Sequence, residues 1–458
     1  MEFFTKLNRT LFPDAREYPS NGAVKTLTLG LQHAFAMSCA TILVPLLTGL
    51  DVGVALFAAG GGTLIFHLCT KGRMPTFLGS SFAFIAALLG IIGNSEFGAT
   101  QTEQIGAAMG GIIAAGLVYA ILACIIKLFG KGFIEKLFPP LVRGIGIAII
   151  GLNLAGVAIQ NIQSNNGFEL FSSGYYWSWA IALIVCLTAT CLSSYGKGMV
   201  KMSSIVIALV VGYVLTYLCV LLGFAPDGMM NRMAVQQHAW IEVPKFVLPR
   251  FNWKAIMIIW PIAIVTCVEH VGDVYANGAV VGKNFVKNPG LTRTLMGDGL
   301  GTVFAGLVGG PANTTYSENT AVLAATGNYN PASLRVAALI AIVFSFFGKA
   351  IGLIETIPNA VLGGACVVLY GMIASVGLRT LVENHVDFAA NRNLCIAAIM
   401  LVLSMGGAVL GIQSFNFSGI GLGVFAGILL NLVLPEQKKG PGLIAHTVEA
   451  DEIVEERK

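Results

Sequence analysis

The sequence predicts an all-α polytopic membrane protein. Fourteen transmembrane segments are expected as two inverted seven-span repeats, with short antiparallel β-strands in the broken segments three and ten. Three observations carry that expectation. Of 458 residues, 56% are hydrophobic and 11% are charged, with a mean hydropathy of +0.79, whereas a soluble chain carries about 25% charged residues. Lysines and arginines gather on one side of the apolar runs. The chain also repeats part of itself at a fixed offset.

The apolar runs come in order near 25–49, 54–70, 104–126, 139–159, 177–195, 203–224, 254–274, 292–309, 332–354, 358–376, 393–412 and 417–434, each long enough to span a bilayer. Two more, 75–93 and 311–327, are short or interrupted. With the N-terminus cytoplasmic, 22 of the 27 lysines and arginines fall inside, which the positive-inside rule favours. Four of the five exceptions, Arg232, Lys245, Arg250 and Lys254, sit in or beside the loop Ala225–Asn252; Lys349 is the fifth. Both termini are therefore expected in the cytoplasm. The polar stretch Met1–Ala23 has no apolar h-region, so no cleaved signal peptide is expected.

The repeat links the run from Phe129 to Pro139 with the run from Phe347 to Pro358. Each begins Phe-Gly-Lys and continues as Pro-x-x-Val-x-Gly, at Pro139/Val142/Gly144 and Pro358/Val361/Gly363. Seven passes separate the copies, and an odd number makes the halves inverted. Inverted halves place the two interrupted segments in corresponding positions, which is the sequence pointer to a carrier's midplane site. The second of them reads Gly310-Pro311-Ala312-Asn313-Thr314-Thr315-Tyr316-Ser317-Glu318-Asn319-Thr320. Pro311 removes a backbone donor, and Thr314, Thr315 and Tyr316 favour an extended chain. Ser317 or Asn319 is then expected to cap a short helix running to Thr326. Met74-Pro75-Thr76-Phe77-Leu78-Gly79-Ser80-Ser81-Phe82-Ala83 matches it in the first half. Non-helical backbone at membrane depth is tolerated only where it is buried in protein or lines a cavity. Helix N-termini meeting there favour acceptor-rich ligands.

Ionisable residues in spans are functional candidates by default. The eighth pass supplies Glu269, His270 and Asp273, with the carboxylates four apart on one face. Two carboxylates so close cannot both ionise cheaply in a low dielectric, so one is expected to hold a proton. Asp298, early in the ninth pass, is placed to pair with either or to orient the strand. Glu318 stands at the junction of strand and half-helix, next to Asn319. Tyr316, Ser317, Ser80 and Ser81 add polar edges, and Phe82 and Tyr370 add rings that suit stacking. His33, after Gln32 in the first pass, is expected to tether helices; His67 and Glu355 are read as structural or interfacial, and His238 as an uninformative loop residue. Carboxylates, strand backbone and an aromatic ring together suit a planar ligand with N–H donors and carbonyl acceptors, because a buried carboxylate left unpaired costs a few kcal/mol. A nucleobase fits that description better than a sugar or an inorganic anion. No cofactor motif, metal-ligand cluster, nucleophile–base spacing or phosphate loop is present in the sequence, and the nine cysteines include no Cys-x-x-Cys pair. The net charge of +4 is too small to suggest nucleic acid. An enzyme is not expected.

At these residues the chain resembles the nucleobase–ascorbate transporter family, most closely its bacterial uracil permeases. The resemblance rests on Leu31-Gln32-His33, on Pro75 to Phe84, on Glu269-His270-Val271-Gly272-Asp273, and on Gly310 to Asn319 with Thr320-Ala321-Val322 and Thr326-Gly327 beyond. It implies a proton-coupled importer of uracil in the plasma (inner) membrane, often a homodimer in the bilayer. A core domain (25–130 and 254–354) would move against a gate domain (131–224 and 355–435). A cytoplasmic segment 1–24, an extracytoplasmic loop 225–253 and a cytoplasmic tail 436–458 complete the division. By position, Glu269 and Glu318 resemble the uracil-binding carboxylates and Phe82 and Tyr316 pocket residues; Ala40 and Tyr370 would line the same site. His270, Asp273 and Asp298 would join Glu269 in proton coupling. Three departures stand out. Asp273 replaces a histidine of some uracil permeases and, with Asp298, matches the purine-transporter pattern; Ser317 and Ala321 each replace a glycine. Xanthine or urate transport, sodium coupling, and an anion exchanger or channel of the same architecture stay as alternatives.

Overall fold

The computed structural model describes residues 18, 21–130, 136–163, 169, 171–230, 234–412 and 415–435. The centre of the first repeat copy (131–135), Arg232, most of the N-terminal segment and the C-terminal tail lie outside the described residues.

Among the described residues helices follow one another: α1 (Ala23–Thr48), α2 (Val52–Cys69), then strand β1 (Leu78–Ser80), a 3-10 turn at Phe82–Phe84 and the short α3 (Ile85–Ile91). Next come α4 (Gln101–Phe129), α5 (Pro140–Gln163), α6 (Ser173–Tyr195), α7 (Ser204–Leu221), α8 (Trp253–Ile259), α9 (Ile262–Val281) and α10 (Leu291–Val308). Strand β2 (Asn313–Thr315) leads into α11 (Ser317–Thr326), followed by α12 (Pro331–Phe344), α13 (Gly348–Glu355), α14 (Asn359–Glu383) and α15 (Asn391–Met405). A hairpin, β3 (Val409–Ile412) and β4 (Phe415–Ser418), precedes α16 (Gly419–Val433). Among the described residues, eight helices are long and apolar enough to cross a membrane, counting α8 and α9 as one. The pair α12 and α13, bent by 86°, makes nine.

Local chemistry sets many boundaries. Side chains of Asp51, Thr100, Ser172, Asn252 and Asn330 accept hydrogen bonds from the first free N–H groups of the helices they precede. Pro261 separates α8 from α9 by removing a donor. Gly309, with φ of 92°, turns the chain from α10 toward β2. Two sequence expectations need correction. The run 393–412 is not one helix: α15 stops at Met405, where Gly406 and Gly407 (φ 65°) break it, and the hairpin follows. Neither Ser317 nor Asn319 caps α11. Tyr316 holds the N-cap position without a side-chain bond, and Ser317 is already helical.

Packing gathers the helices into two groups. α10 lies against α4 and α2, while α12 lies against α1 and α2; α14 packs on α5 and α6, and α15 on α16. Small residues permit the closest approaches. A Cβ on Gly116 of α4 would lie 2.7 Å from the Gly299 carbonyl oxygen of α10, so the two backbones touch. The loop after α7 is not a free excursion. Its Phe246 ring stands 5.2 Å edge-on from Phe57 of α2, and the Arg250 N–H donates to the Gly106 carbonyl of α4 at 2.8 Å. The Arg250 guanidinium also meets Glu103 at 2.9 Å.

Candidate functional site

The two interrupted segments meet as an antiparallel pair. Leu78 stands opposite Thr315, Gly79 opposite Thr314 and Ser80 opposite Asn313. The ladder continues beyond the strands, with Ser81 N–H donating to Ala312 O at 2.8 Å and Tyr316 N–H to Phe77 O at 3.0 Å. All six strand residues are buried. Backbone so far from water must be paired; hydroxyls from two helices complete the pairing, and strand side chains bond helix carbonyls in turn. The Thr63 hydroxyl exchanges bonds with Leu78 (N–H donating at 2.9 Å, O accepting at 3.2 Å). Thr302 donates to Asn313 O at 3.0 Å, and the Asn313 amide donates to Ala58 O at 3.0 Å. The Ser80 hydroxyl donates to Thr41 O at 3.2 Å.

α9 brings its carboxylates to this pair. Glu269 and Asp273 are half-buried on one face of the helix. The Thr315 hydroxyl donates to Asp273 Oδ2 at 2.5 Å, tying the helix to β2. One turn on, Asn277 is fully buried, and its amide reaches both broken segments, donating to Pro75 O at 2.7 Å and to Thr320 Oγ1 at 3.2 Å. His270 points to another neighbour. Its Nδ1 lies 2.8 Å from Asp298 Oδ2 of α10, and neither side chain is exposed to solvent.

Glu318, half-buried, occupies the first turn of α11, where uncapped N–H groups and the positive end of the helix dipole lie. Ser317 beside it is exposed. The Asn319 amide is engaged by α1, donating to the His33 carbonyl at 3.1 Å and lying 3.2 Å from its Nδ1. Tyr316 crosses to the other half, its hydroxyl donating to Ser80 O at 2.9 Å and accepting from Thr41 at 3.3 Å. Phe82 meets Tyr370 of α14 edge-on at 5.8 Å, and Ala40 is buried in α1. Ser81 is buried with its hydroxyl unpaired, and Gln32 reaches Met199 Sδ at 3.3 Å. Sequence reasoning had not named Thr41, Thr63 or Asn277 as site residues. Asn277 had a signal: it extends the Glu269–Asp273 spacing by four.

A cavity of about 270 Å³ begins one residue beyond Asp273, along Val274, Tyr275 and Gly278 to Lys283 and Phe285. Two of its lining side chains, Tyr275 and Lys283, take part in cation–ring contacts. The Arg143 guanidinium of α5 stands 5.7 Å from the centre of the Tyr275 ring, and the Lys283 ammonium 3.9 Å from that of Tyr18. Among the described residues no group of three or more histidine, cysteine or acidic side chains is arranged to hold a metal ion.

Apolar spanning helices around two broken, mutually paired segments define an integral membrane carrier, a permease and not an enzyme. The sequence model of the Permease family matches residues 24–412. The chain belongs to this family, that of the nucleobase–ascorbate transporters. It is 42% identical over 429 residues to the uracil permease of Bacillus caldolyticus, covering 92% of this chain and 94% of that one. The uracil permease of Bacillus subtilis is 38% identical over 425 residues, covering 90% of this chain and 93% of that one. That of Escherichia coli K12 is 34% identical over 418 residues, covering 90% and 91%. Among solved structures, the transmembrane domain of the cyanobacterial bicarbonate transporter BicA superposes with a TM-score of 0.60 at 15% identity, covering 89% of this chain and 96% of that one. The murine anion transporter Slc26a9, in its inward-facing state, gives 0.63 at 15% identity, covering 94% and 72%. At such identity the likeness is one of fold.

Proposed function

We propose that this protein imports uracil across the plasma membrane in symport with protons. The observation that carries the reading is the strand pair, with Glu318 in the first turn of the adjoining half-helix and Glu269 and Asp273 on the helix tied to it through Thr315. In this reading uracil lies between the broken segments. Glu269 and Glu318 accept its N–H groups, and free N–H groups of α11 serve its carbonyls. Phe82, Tyr316, Tyr370 and Ala40 wall the ring. Ser317 and Asn319 complete the pocket, while His33, Gln32 and Ser81 orient it. Protonation of Glu269, tuned by Asp273 and by the His270–Asp298 pair, couples proton movement to uracil movement. The uracil permease relatives support the substrate. Carboxylates facing the ligand disfavour an anion.

The same proposal includes fourteen passes as inverted halves, both termini cytoplasmic, a homodimer, and a core domain (25–130, 254–354) moving against a gate domain (131–224, 355–435). The packing of α10 and α12 on α1, α2 and α4, and of α14 on α5 and α6, supports that division, and the cavity beyond Asp273 would be the cytoplasmic vestibule. Uptake of labelled uracil into proteoliposomes under an inward proton gradient, with and without excess unlabelled xanthine, tests the reading. Proton-stimulated uptake that xanthine leaves untouched is expected. Block by xanthine would move the substrate to purines, and no uptake by folded protein would remove the function.

A further inference from the structure

The four carbonyls from Pro75 to Leu78, which lead into β1, each have a partner from outside the segment. Pro75 O accepts from Asn277 at 2.7 Å, Phe77 O from the Tyr316 N–H at 3.0 Å, and Leu78 O from Thr63 at 3.2 Å. Thr76 O, the remaining one, lies 2.8 Å from Nε2 of His67 on α2. Of the four partners only the imidazole has a choice of tautomer, and that choice decides whether Nε2 turns a proton or a lone pair to the carbonyl. On the far side of the ring, Nη1 of Arg335 of α12 lies 3.3 Å from Nδ1. His67 is fully buried, and Arg335 and Thr76 are 5% and 2% exposed.

A guanidinium carries donors only. Nδ1 must then accept, which leaves the proton on Nε2 and makes it the donor to Thr76 O. With the proton on Nδ1 instead, two acceptors would face each other at 2.8 Å and the segment would shift. The strand begins two residues later, opposite Thr315, whose hydroxyl holds Asp273. We propose that Arg335 is a positioning residue of the substrate site: by fixing the His67 tautomer it sets the Thr76 carbonyl, the register of β1, and through Thr315 the place of the Asp273 carboxylate. The inference rests on the uracil reading for its transport assay but not for its geometry.

The test is uracil uptake by four variants reconstituted as full chains: His67→Gln, His67→Asn, Arg335→Lys and Arg335→Met. Glutamine keeps an amide donor at the reach of Nε2 and an oxygen that can turn to Arg335. Asparagine is one methylene too short to meet both. We expect His67→Gln and Arg335→Lys to stay within about threefold of the wild-type KM. His67→Asn and Arg335→Met should raise KM about tenfold with Vmax within about twofold, the factor of about 1.4 kcal/mol that one buried hydrogen bond carries. A wild-type KM in Arg335→Met or His67→Asn, or an equal loss in glutamine and asparagine, overturns the inference. If Arg335→Met does not purify as a single species, the glutamine–asparagine comparison decides. Should the wild-type protein take up no uracil, the substrate reading fails separately. ¹⁵N shifts of the His67 ring then decide the inference, with a protonated Nε2 and bare Nδ1 expected in the wild type, lost in Arg335→Met. The opposite tautomer in the wild type, or an unchanged one in Arg335→Met, overturns it.

Discussion

Gly79 gives the sharpest test of the strand pair as a built site. It faces the ring of Tyr316, and a Cβ placed there would lie 2.4 Å from both Cε2 and Cζ and 2.7 Å from the hydroxyl oxygen. Carbon atoms rest at about 3.5–4.0 Å, so Gly79→Ala requires the ring to withdraw by about 1 Å. Tyr316 has little room, being 4% exposed, and its hydroxyl is held by Ser80 O and Thr41. Overpacking costs roughly 1–3 kcal/mol, and the loosened buried hydrogen bond adds about 1 kcal/mol. Borne by the substrate-competent conformation, roughly 2–4 kcal/mol lowers Vmax/KM for uracil by about 30-fold or more. The assay is initial-rate uptake in proteoliposomes, run as a double-mutant cycle with Tyr316→Ala. Without the ring there is no collision, so adding Gly79→Ala to Tyr316→Ala should cost less than about threefold. An equal loss in both backgrounds, or wild-type kinetics in Gly79→Ala alone, refutes the reasoning.

Three further outcomes are expected. Asn277→Asp keeps the shape but removes both donors and sets a carboxylate oxygen against Pro75 O, so uptake should fall at least about tenfold, the factor of one lost buried bond; a wild-type rate would show that the two ties are idle. Glu269→Gln should abolish proton-driven accumulation while exchange of uracil against uracil persists, and normal accumulation by this variant would end the coupling scheme. Outside the spans, His238 lies 2.9 Å from Glu242 and 3.1 Å from Glu355. Burial pulls its pKa down, but the hydrogen bonds and charges of the two glutamates outweigh that and hold it above 6.5. A histidine raised on folding stabilises fully below its unfolded value and loses that contribution as pH climbs through the folded one. The melting temperature of detergent-purified protein should therefore step down as pH climbs above about 6.5. His238→Gln should lack the step, and superimposable profiles would contradict it.

What could be read from the sequence was whatever a residue type forces by itself. Pro75 and Pro311 each lack a backbone donor and lie between helices, and Thr314 and Thr315 lean toward extended backbone; the structure has strands at Leu78–Ser80 and Asn313–Thr315. Spacing alone put Glu269 and Asp273 on one helix face. The partners were not legible, because they depend on which helices become neighbours. Nothing near Thr63 in sequence announces that its hydroxyl serves Leu78, or that Asn319 turns to the backbone of His33 rather than into open space. The docking of the loop after α7 was hidden for the same reason: Phe246 and Arg250 meet α2 and α4 through contacts that no periodicity encodes. His238 looked uninformative because its two glutamates arrive from different elements, Glu355 from the end of α13.

The pairing of β1 with β2 also bears on how the protein is made. The two strands lie roughly 240 residues apart, so at about 5–20 residues per second a ribosome needs about 12–50 s to deliver the second after the first. Until then Phe77 O and Ser81 N–H, which Tyr316 and Ala312 serve in the folded protein, have no ladder partner, and inside a bilayer each such group costs several kcal/mol. The first half of the chain therefore cannot settle into its final shape as it leaves the translocon. With the strand pair at the membrane depth proposed above, the segment that carries β1 would be held at the membrane surface or against the insertion machinery until the segment that carries β2 has been synthesised.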